Sequence, residues 1–445
     1  MKKSLAIVFA ALLIVMSFSF AACTSNTGGD TTPPPTDNTD TTATTPEPAP
    51  VDTSAGGPNA NADGSTNLDM VGYYDPNFDY SANPTFKVKY LTLDTSPLYQ
   101  DFDTGYAHFS SLMNIQYDGM WSCLMDNDLF VQQLQTCIDQ GYNGIIMDPD
   151  VTIYPTLLDI LNAHPEVKWM TGMSPARDTG DPAMPKVRPS VGFDNQAAGA
   201  EIMRELLQYA KDTWPDVSTD QIGVVFVDFS AVKALHDRQV GMYAEYMKEV
   251  GLDHNFITLD GVSGKRDADT ARNLVMPIVS TNNEFTHWLA AGCFDDYTVG
   301  AAAAFDNLGL TDVACCATMG GSTLIRQWDA GQQTSWRLCY NTQGSIYAEP
   351  IIGELYADMA GYATPETIWP SWVNVNDHGK ADDTYASLLL PAYWLTYDNY
   401  QKYLAWSDVY TFSNTYPDYD KTGITRDTFP AIAPVPDYYS VLQTS

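Results

Sequence analysis

One pattern repeats from Lys87 to Tyr340: a short apolar run, a turn, an amphipathic stretch and another short apolar run. This alternation predicts parallel strands joined by helices, as in an α/β fold. Two predicted helices, Gln196–Lys211 and Ala231–Val250, carry apolar residues along one face. So many strands predict two doubly wound halves rather than one small sheet. The predicted strands are Val88–Leu93, Asn114–Tyr117, Gly144–Met147, Val167–Met170, Ile222–Val227, Phe256–Leu259, Trp288–Ala291, Val313–Ala317 and Trp336–Tyr340.

The charge balance excludes whole classes of partner. The 445 residues carry 22 Lys and Arg against 55 Asp and Glu, a formal net charge of −33. A field of this sign repels phosphate backbones and anionic lipid headgroups. Nucleic-acid binding and attachment to a membrane through a basic patch are therefore excluded.

The N-terminus is typical of an exported lipoprotein. Met1-Lys2-Lys3 is a short positive region, and the apolar run that follows it ends at Phe20. The run is shorter than the ~20 residues of a membrane span, so residues 1–22 are predicted to be a signal peptide rather than an anchor. Phe20-Ala21-Ala22-Cys23 resembles a bacterial lipobox, although Phe20 stands where Leu is usual. We therefore predict cleavage before Cys23, lipidation of its thiol and an extracytoplasmic, lipid-anchored protein.

Two segments outside the repeating pattern have their own composition. Residues 23–66 are rich in Thr, Pro, Asp, Gly and Asn with almost no large apolar side chain, which predicts a flexible acidic tether. The tail is rich in Trp, Tyr, Pro and Asp with little helical periodicity. Within the tail, Leu388–Leu395 could form a returning strand, and residues 406–445 are interpreted as a C-terminal surface extension.

Cysteine usage leaves the redox state open. Without Cys23 six remain, an even number that permits pairing but does not require it. Four of them, Cys293, Cys315, Cys316 and Cys339, lie in apolar runs typical of strands, where a thiol packs as a small apolar side chain, so buried free thiols are favoured over disulfides. The six are Cys123, Cys137, Cys293, Cys315, Cys316 and Cys339.

No motif indicates catalysis, a cofactor or a metal. Asp295-Asp296 could be a carboxylate pair for glycoside hydrolysis, but neighbouring side chains point to opposite sides and cannot flank one bond. Asp126-Asn127-Asp128 lacks the remaining ligands of a calcium loop. The sequence contains no Gly-x-Ser-x-Gly, His-Glu-x-x-His or phosphate-binding loop. We therefore predict a binding protein rather than an enzyme, with no cofactor and no metal.

From Lys87 to about Leu404 the order of segments resembles the type I periplasmic solute-binding proteins for sugars, the ribose, galactose and xylose binders of ABC importers. Val88–Leu93 with Asp94–Tyr99 looks like the family's first strand and ligand loop. Gln140–Pro149 is similar to its third-strand signature, and Phe193-Asp194-Asn195 to a crossing between lobes. Arg238–Met242 resembles its R-x-x-G-[FM] helix.

The resemblance implies two doubly wound Rossmann-like lobes joined by a three-strand hinge, with a ligand cleft between them. Lobe 1 would hold residues 67–192 plus 342–386, and lobe 2 residues 194–340 plus 387–405. The chain would cross between them near Asp194, Asn341 and Leu388. The resemblance also implies a monomer that captures a sugar or sugar-like molecule and docks on the transmembrane subunits of an ABC permease.

A sugar site needs aromatic planes and polar groups that both donate and accept hydrogen bonds. Strand ends and the resemblance together supply the candidates, some of which have structural alternatives. Tyr99 and Phe102 could pack on the sheet, Asp194 could cap a helix, and His236 could be a surface residue. The candidates are Ser96, Tyr99, Phe102, Asp148, Arg177, Phe193, Asp194, Phe229, His236, Phe294, Asp295, Met319, Tyr340 and Asn341.

The chain departs from the sugar binders at three site positions. Met173-Ser174 stands where they have Asp-Arg, Phe294-Asp295 where they have Asn-Asp, and Met319-Gly320-Gly321 where they have Phe-Asp-Gly. The site is therefore expected to be more aromatic and less polar than theirs. Two roles remain open: delivery of the ligand to a permease, and ligand sensing by a receptor subunit of the same fold that signals to a membrane partner.

Overall fold

A computed structural model describes residues 56–172, 175–177, 179, 185–341, 343–373, 384–390 and 392–425. The predicted signal peptide, Cys23 and most of the predicted tether lie outside the described residues, as do Met173, Ser174 and residues 426–445. In the part of the chain that is described, no helix combines the length and apolar character of a membrane span.

Strands and helices alternate through most of the described chain. The strands are β1 (Phe86–Thr92), β2 (Ile115–Ser122), β3 (Gly144–Asp148), β4 (Lys168–Thr171), β5 (Ser190–Gly192), β6 (Ile222–Asp228), β7 (Phe256–Asp260), β8 (His287–Gly292), β9 (Ala314–Gly320), β10 (Trp336–Asn341), β11 (Ser387–Leu389) and β12 (Tyr393–Leu395). The α-helices are α1 (Pro97–Leu112), α2 (Asn127–Asp139), α3 (Tyr154–Asn162), α4 (Asn195–Thr213), α5 (Lys233–Glu249), α6 (Ala268–Thr281), α7 (Asp295–Asn307), α8 (Ser322–Asp329), α9 (Gly344–Ala360) and α10 (Tyr400–Thr411).

Each lobe is built on its own sheet. Lobe 1 has four parallel strands in the order β2-β1-β3-β4, and lobe 2 has the order β12-β10-β9-β8-β6-β7. Among the described strands of these two sheets, β12 alone runs antiparallel to its neighbour, which is β10. Every predicted strand of the repeating pattern has an observed counterpart, and the two predicted helices appear as α4 and α5. The predicted pair of doubly wound lobes is confirmed.

The burial of the central strands explains why their apolar runs could be recognised in the sequence. All residues of β6 and β9 are buried, because helices cover both faces of a parallel sheet. The six described cysteines are free and buried, which confirms the preference for free thiols over disulfides. Three of them, Cys315, Cys316 and Cys339, fill positions in β9 and β10.

The chain crosses between the lobes three times, after β5, after β10 and between β11 and β12. β5 and β11 form a separate two-stranded parallel sheet beside lobe 1, whereas β12 joins lobe 2. The third crossing therefore lies between the end of β11 at Leu389 and the start of β12 at Tyr393, after the predicted position near Leu388. The buried ammonium of Lys186 ties the first and third crossing segments together. It donates to the carbonyl oxygens of Tyr385 and Ala386, both at 3.1 Å, and to Ser387 Oγ at 2.5 Å.

Helices α4 and α5 of lobe 2 meet at two glycines. A Cβ at Gly241 would lie 1.9 Å from the Gln196 carbonyl oxygen, and one at Gly199 would lie 2.0 Å from the Arg238 carbonyl oxygen. The helix backbones are thus in contact where the Arg238–Met242 motif meets the start of α4. The motif glycine is explained by this close approach.

Two predicted boundaries were wrong. Residues 56–66, assigned to the tether, fold back on the chain: Thr66 Oγ1 donates to the Gly56 carbonyl, and Asn59 N donates to Asp75 Oδ2 at 2.8 Å. Composition missed this because short polar side chains here bind the backbone in turns. The tail is also not only a surface wrap, because α10 runs past residue 406 and buries Ser407 and Asp408.

Candidate functional site

The carboxyl edge of the lobe 1 sheet holds a fixed carboxylate. Asp148 ends β3, and its Oδ2 accepts a hydrogen bond from the hydroxyl of Tyr90 on the neighbouring β1 at 2.6 Å. A Cβ at residue 172, directly after β4, would lie 2.1 Å from the same oxygen. Only glycine leaves room for Asp148 at this position. The sequence predicted Asp148 but not Tyr90 or the requirement for Gly172.

Two further tyrosines and an arginine surround Asp148. Burial, and after it the Asp148 carboxylate, raise the pKa values of Tyr99 and Tyr154, so both phenols keep their protons and can donate hydrogen bonds. The positive charge of the Arg177 guanidinium lowers the pKa of Tyr154 and so opposes part of this increase. Arg177 also pairs with Lys186 in an antiparallel bridge on the way to the first crossing. The structure thus brings Tyr99, Asp148 and Arg177 together.

Lobe 2 contributes aromatic rings and a second arginine. Phe229 follows β6, and its ring packs 6.5 Å from Tyr297, which in turn lies 4.3 Å from Phe294 at the start of α7. The guanidinium of Arg266, in the loop between β7 and α6, lies over the Phe229 ring at 4.6 Å. A cation over an aromatic face is attracted by the negative face of the ring. The structure thus places Phe229 and Phe294 on either side of Tyr297, with Arg266 beside Phe229.

His236 is oriented by a buried carboxylate. Its Nδ1 lies 2.6 Å from Oδ2 of Asp228, the last residue of β6, while the imidazole is 43% exposed. A carboxylate partner at Nδ1 places a donated proton on that nitrogen and leaves Nε2 for another partner. His236 is therefore neither a free surface side chain nor packed in the core.

Groups from the two lobes come close enough to influence each other. The positive charge of Arg266 in lobe 2 lowers the pKa of Tyr99 in lobe 1, against the larger effect of burial. Burial raises the pKa of Asp296 at the start of α7, and the nearby carboxylate of Asp94, at the end of β1, adds to that increase. Asp94 Oδ1 accepts from the amide of Ser96 at 3.1 Å, and the Ser96 side chain makes no capping bond to α1. The side chains around Asp148 in lobe 1 and those around Phe229 and Arg266 in lobe 2 are therefore described together as one cluster.

Three candidates have structural roles instead. The Asp295 carboxylate accepts from the amides of Gly321 and Thr323, both at 2.9 Å, at the start of α8. Burial raises its pKa to about 6, although these hydrogen bonds oppose the shift. Asp194 caps α4 by accepting from Ala197 N at 2.8 Å. Phe102 is buried against Tyr106 and Tyr347, which matches the packing role that the sequence left open for it.

Four candidates lie together at the crossings rather than beside Asp148. Phe193, Asp194, Met319 and Tyr340 line a small hollow with the third crossing, and that hollow shares no residue with the Asp148–Phe229 cluster. Tyr340 also packs 5.0 Å from Trp394 of β12. Asn341, buried at the end of β10, pairs with Tyr393 in the same ladder.

Arg238 fastens this region to lobe 2. Its Nε donates to Asn195 Oδ1 at 2.9 Å, an Nη donates to the Cys293 carbonyl at 2.5 Å, and its guanidinium lies 5.2 Å from the Phe193 ring. Burial lowers the pKa of Arg238 to about 10, which still leaves it charged at neutral pH. These contacts of the Arg238 guanidinium hold the first crossing against the end of β8.

The sequence-based candidates did not include Tyr90, Tyr154, Arg266 and Asp296, and Asp94 entered only as the start of the expected ligand loop. Arg266 and Asp296 could have been found, because the carboxyl ends of parallel strands meet at one edge and each following loop is a place to search. Tyr90 lies inside a strand, and nothing in the local pattern distinguishes it from a core residue. Among the described residues no group of three or more His, Cys, Asp or Glu side chains is arranged to hold a metal ion.

The cluster is suited to binding rather than to bond breaking. Asp148 is a fixed acceptor, Tyr99 and Tyr154 are donors, and the rings of Phe229 and Phe294 offer apolar surface. Such a mixture recognises a small molecule that has both hydroxyl groups and apolar faces.

Comparison with known proteins adds to this geometry. No protein-family model and no curated protein matches the sequence. Among solved structures, a periplasmic solute-binding protein of an ABC transporter from Actinobacillus succinogenes, solved with bound D-allose, is similar with a TM-score of 0.54 at 12% identity, covering 71% of this chain and 99% of the other.

Two further structures agree. A periplasmic ribose ABC transporter protein from Conexibacter woesei has a TM-score of 0.53 at 12% identity, covering 73% of this chain and 96% of its own. An arabinose-binding protein from Geobacillus stearothermophilus has a TM-score of 0.52 at 14% identity, covering 71% and 98%. The chain therefore has the type I periplasmic binding protein fold, the fold that its sequence motifs resemble.

Proposed function

We propose that this protein is an extracytoplasmic, lipid-anchored solute-binding protein that captures a small sugar-like molecule in the interlobe cleft and delivers it to an ABC permease. The observation that carries the proposal is the cluster around Asp148 and Phe229, which both lobes build at the carboxyl ends of their strands. Open α/β sheets bind ligands at this edge. The structural neighbours named above are solute-binding proteins of the same fold.

The chemistry of the cluster supports a neutral polar ligand. Asp148 would accept from ligand hydroxyls, while Tyr99, Tyr154 and Arg177 would donate to ligand oxygens. The Phe229 and Phe294 rings would pack on an apolar face of the ligand. We propose that the protein binds without catalysing a reaction and acts as a monomer.

A thermal-shift screen against sugars, polyols and nucleosides tests ligand binding directly. A compound that binds only the folded protein raises the melting temperature by mass action. If none of these classes shifts the transition, the proposed ligand class is wrong.

For a compound found in the screen, we expect Asp148→Asn to weaken binding by about tenfold. The charged carboxylate, which only accepts hydrogen bonds, is replaced by a neutral amide whose NH2 group needs an acceptor of its own. Calorimetry measures the change. Asp139→Asn, at an exposed position at the end of α2, is the matched control and should bind like the parent. Equal affinity of Asp148→Asn and the parent would place the ligand elsewhere.

Lipid anchoring is tested at Cys23. We expect Cys23→Ala to remove the protein from the membrane fraction, because the thiol is the site of acylation and one residue carries the whole attachment. Fractionation and mass spectrometry of the mature N-terminus measure this. An unmodified N-terminus that begins before or well after Cys23 contradicts the proposal.

Gene deletion separates the two roles. Loss of uptake of the identified ligand supports delivery to a permease. Normal uptake with a lost transcriptional or chemotactic response to the ligand supports the sensing alternative.

A further inference from the structure

We propose that residues 400–425, here called the C-terminal strap, act as a conformational restraint that connects lobe 1 to lobe 2 and limits how far the cleft opens. The strap comprises α10 and the turns that follow it. It lies outside the three crossings, and the inference does not depend on the identity of the ligand.

The strap is attached to lobe 2 at the end of α8. The hydroxyls of Tyr400 and Tyr419 both donate to Asp329 Oδ1, at 3.1 and 2.6 Å. Tyr400 also packs 5.1 Å from the ring of Trp328. The beginning and the far part of the strap thus converge on one residue of lobe 2.

Between these two points the strap contacts lobe 1. The Thr411 carbonyl oxygen lies 2.6 Å from His108 Nε2 on α1, so that nitrogen is the donor. The Phe412 ring packs edge-on against Tyr74 at 5.6 Å. Tyr74 belongs to lobe 1, because its amide donates to Glu349 Oε1 of α9 at 3.0 Å. The strap therefore leaves lobe 2, touches lobe 1 and returns to lobe 2.

A buried carboxylate fixes the conformation of the strap after α10. Asp408 accepts from Ser413 Oγ at 2.7 Å, from Tyr416 N at 2.7 Å and from Thr415 N at 3.1 Å. Lys421 Nζ lies 3.0 Å from the same carboxylate. The turn after α10 is thus organised around one acceptor, and the strap is not a loose chain end.

The identity of residue 412 indicates that the contact with lobe 1 has a role of its own. The residue ends α10 with φ +57°, a left-handed conformation in which a glycine is usual. It is also 45% exposed, so its burial in a core does not account for a large ring at this position. The edge contact with Tyr74 is the feature that distinguishes Phe412 from the glycine expected there.

The lobes also touch each other directly, between α1 and α8. Ser322 Oγ of α8 donates to Asp101 Oδ2 of α1, and Arg326 of α8 lies 3.5 Å from Asp101 Oδ1. Any rotation of the lobes that separates α1 from α8 must also stretch or break the strap contacts at His108 and Phe412. Hinge motion is therefore resisted by a fourth connection in addition to the three crossings.

Spin-label distance measurement on the ligand-free full-length protein tests the inference. Asp128→Cys and Val262→Cys place labels at exposed positions on the cleft sides of lobe 1 and lobe 2, while the native described thiols are buried. We expect His108→Ala with Phe412→Gly to give a longer and broader distance distribution than the parent. His254→Ala, at an exposed position of lobe 2, is the control and should leave the distribution unchanged.

Phe412→Gly alone protects the test against misfolding. Glycine suits the left-handed conformation, and the ring is partly exposed, so this variant should fold as well as the parent while losing the Tyr74 contact. If the double variant does not fold, Phe412→Gly alone decides. A distribution identical to that of the parent in a folded strap variant would overturn the inference, and a longer, broader one would support it.

Discussion

Gly241→Ala is expected to destabilise lobe 2 by about 3 kcal/mol or more, at the upper end of what overpacking a core usually costs. The added Cβ would lie 1.9 Å from the carbonyl oxygen of Gln196. A backbone oxygen cannot move aside as the end of a flexible side chain can, so α4 and α5 would have to separate along their contact. Urea unfolding measures the loss as a lower midpoint.

The matched control for this variant is Ala244→Ser on the same helix. Ala244 is exposed, so a slightly larger side chain there meets no neighbour and should change the midpoint little. Gly199→Ala should resemble Gly241→Ala, because its Cβ would lie 2.0 Å from the Arg238 carbonyl oxygen. If Gly241→Ala unfolds at the parent's urea concentration, the two helices are not in backbone contact.

Glu354→Gln is expected to remove a large part of the pH dependence of stability between about pH 5 and pH 8. Glu354 lies on α9 and is buried, and neither of its carboxylate oxygens has a hydrogen-bond partner among the residues that the structure describes. Burial, and after it the charge of Asp358, raise its pKa from 4.5 to about 8, while Arg188 and Lys168 act in the opposite direction. The folded protein therefore holds a proton here that the unfolded chain releases.

The sign follows from proton linkage. A folded-state pKa above the unfolded one contributes stability that is fully present below about pH 4.5 and is lost as the pH rises to about 8. The loss is at most about 1.4 kcal/mol per pH unit. Asp295, with a pKa raised to about 6, also lowers stability as the pH rises. Its contribution is the same in the parent and in Glu354→Gln, so it cancels in the difference between them.

Urea unfolding of parent and Glu354→Gln at pH 5, 6.5 and 8.5 measures the effect as a difference in slope. Glu284→Gln, at an exposed position, is the control and should follow the parent. Parallel stability curves for parent and Glu354→Gln would mean that Glu354 is ionised in the folded protein at neutral pH.

Local sequence patterns predicted the strands of both sheets and the position of Asp148. The reason is that a parallel strand buried on both faces must be almost continuously apolar, and the residue that ends such a strand reaches the ligand edge of the sheet. The strand predicted over Leu388–Leu395 is divided into the two short strands β11 and β12, and β5 was not predicted. A three-residue strand is too short to carry a period, and β5 and β11 exist only because these two segments pair with each other.

The tail shows a second limit. Residues 400–411 form α10 although their helical periodicity is weak, because the helix is stabilised by contacts on several sides, with buried Tyr403 and Leu404 on one face and buried Asp408 at its end. A helix surrounded in this way needs no single apolar stripe. Its sequence therefore looked irregular.

The sequence by itself determined the fold class and the order of the strands along the chain, since both depend on residues that are close neighbours. The tertiary structure alone decided which candidates share the cleft. Tyr90 and Asp148 are 58 residues apart, Asp295 and Gly321 are 26 apart, and His108 and Thr411 are 303 apart. A hydrogen bond depends on distance and direction in space, and a local pattern holds no information on which distant residue will complete it.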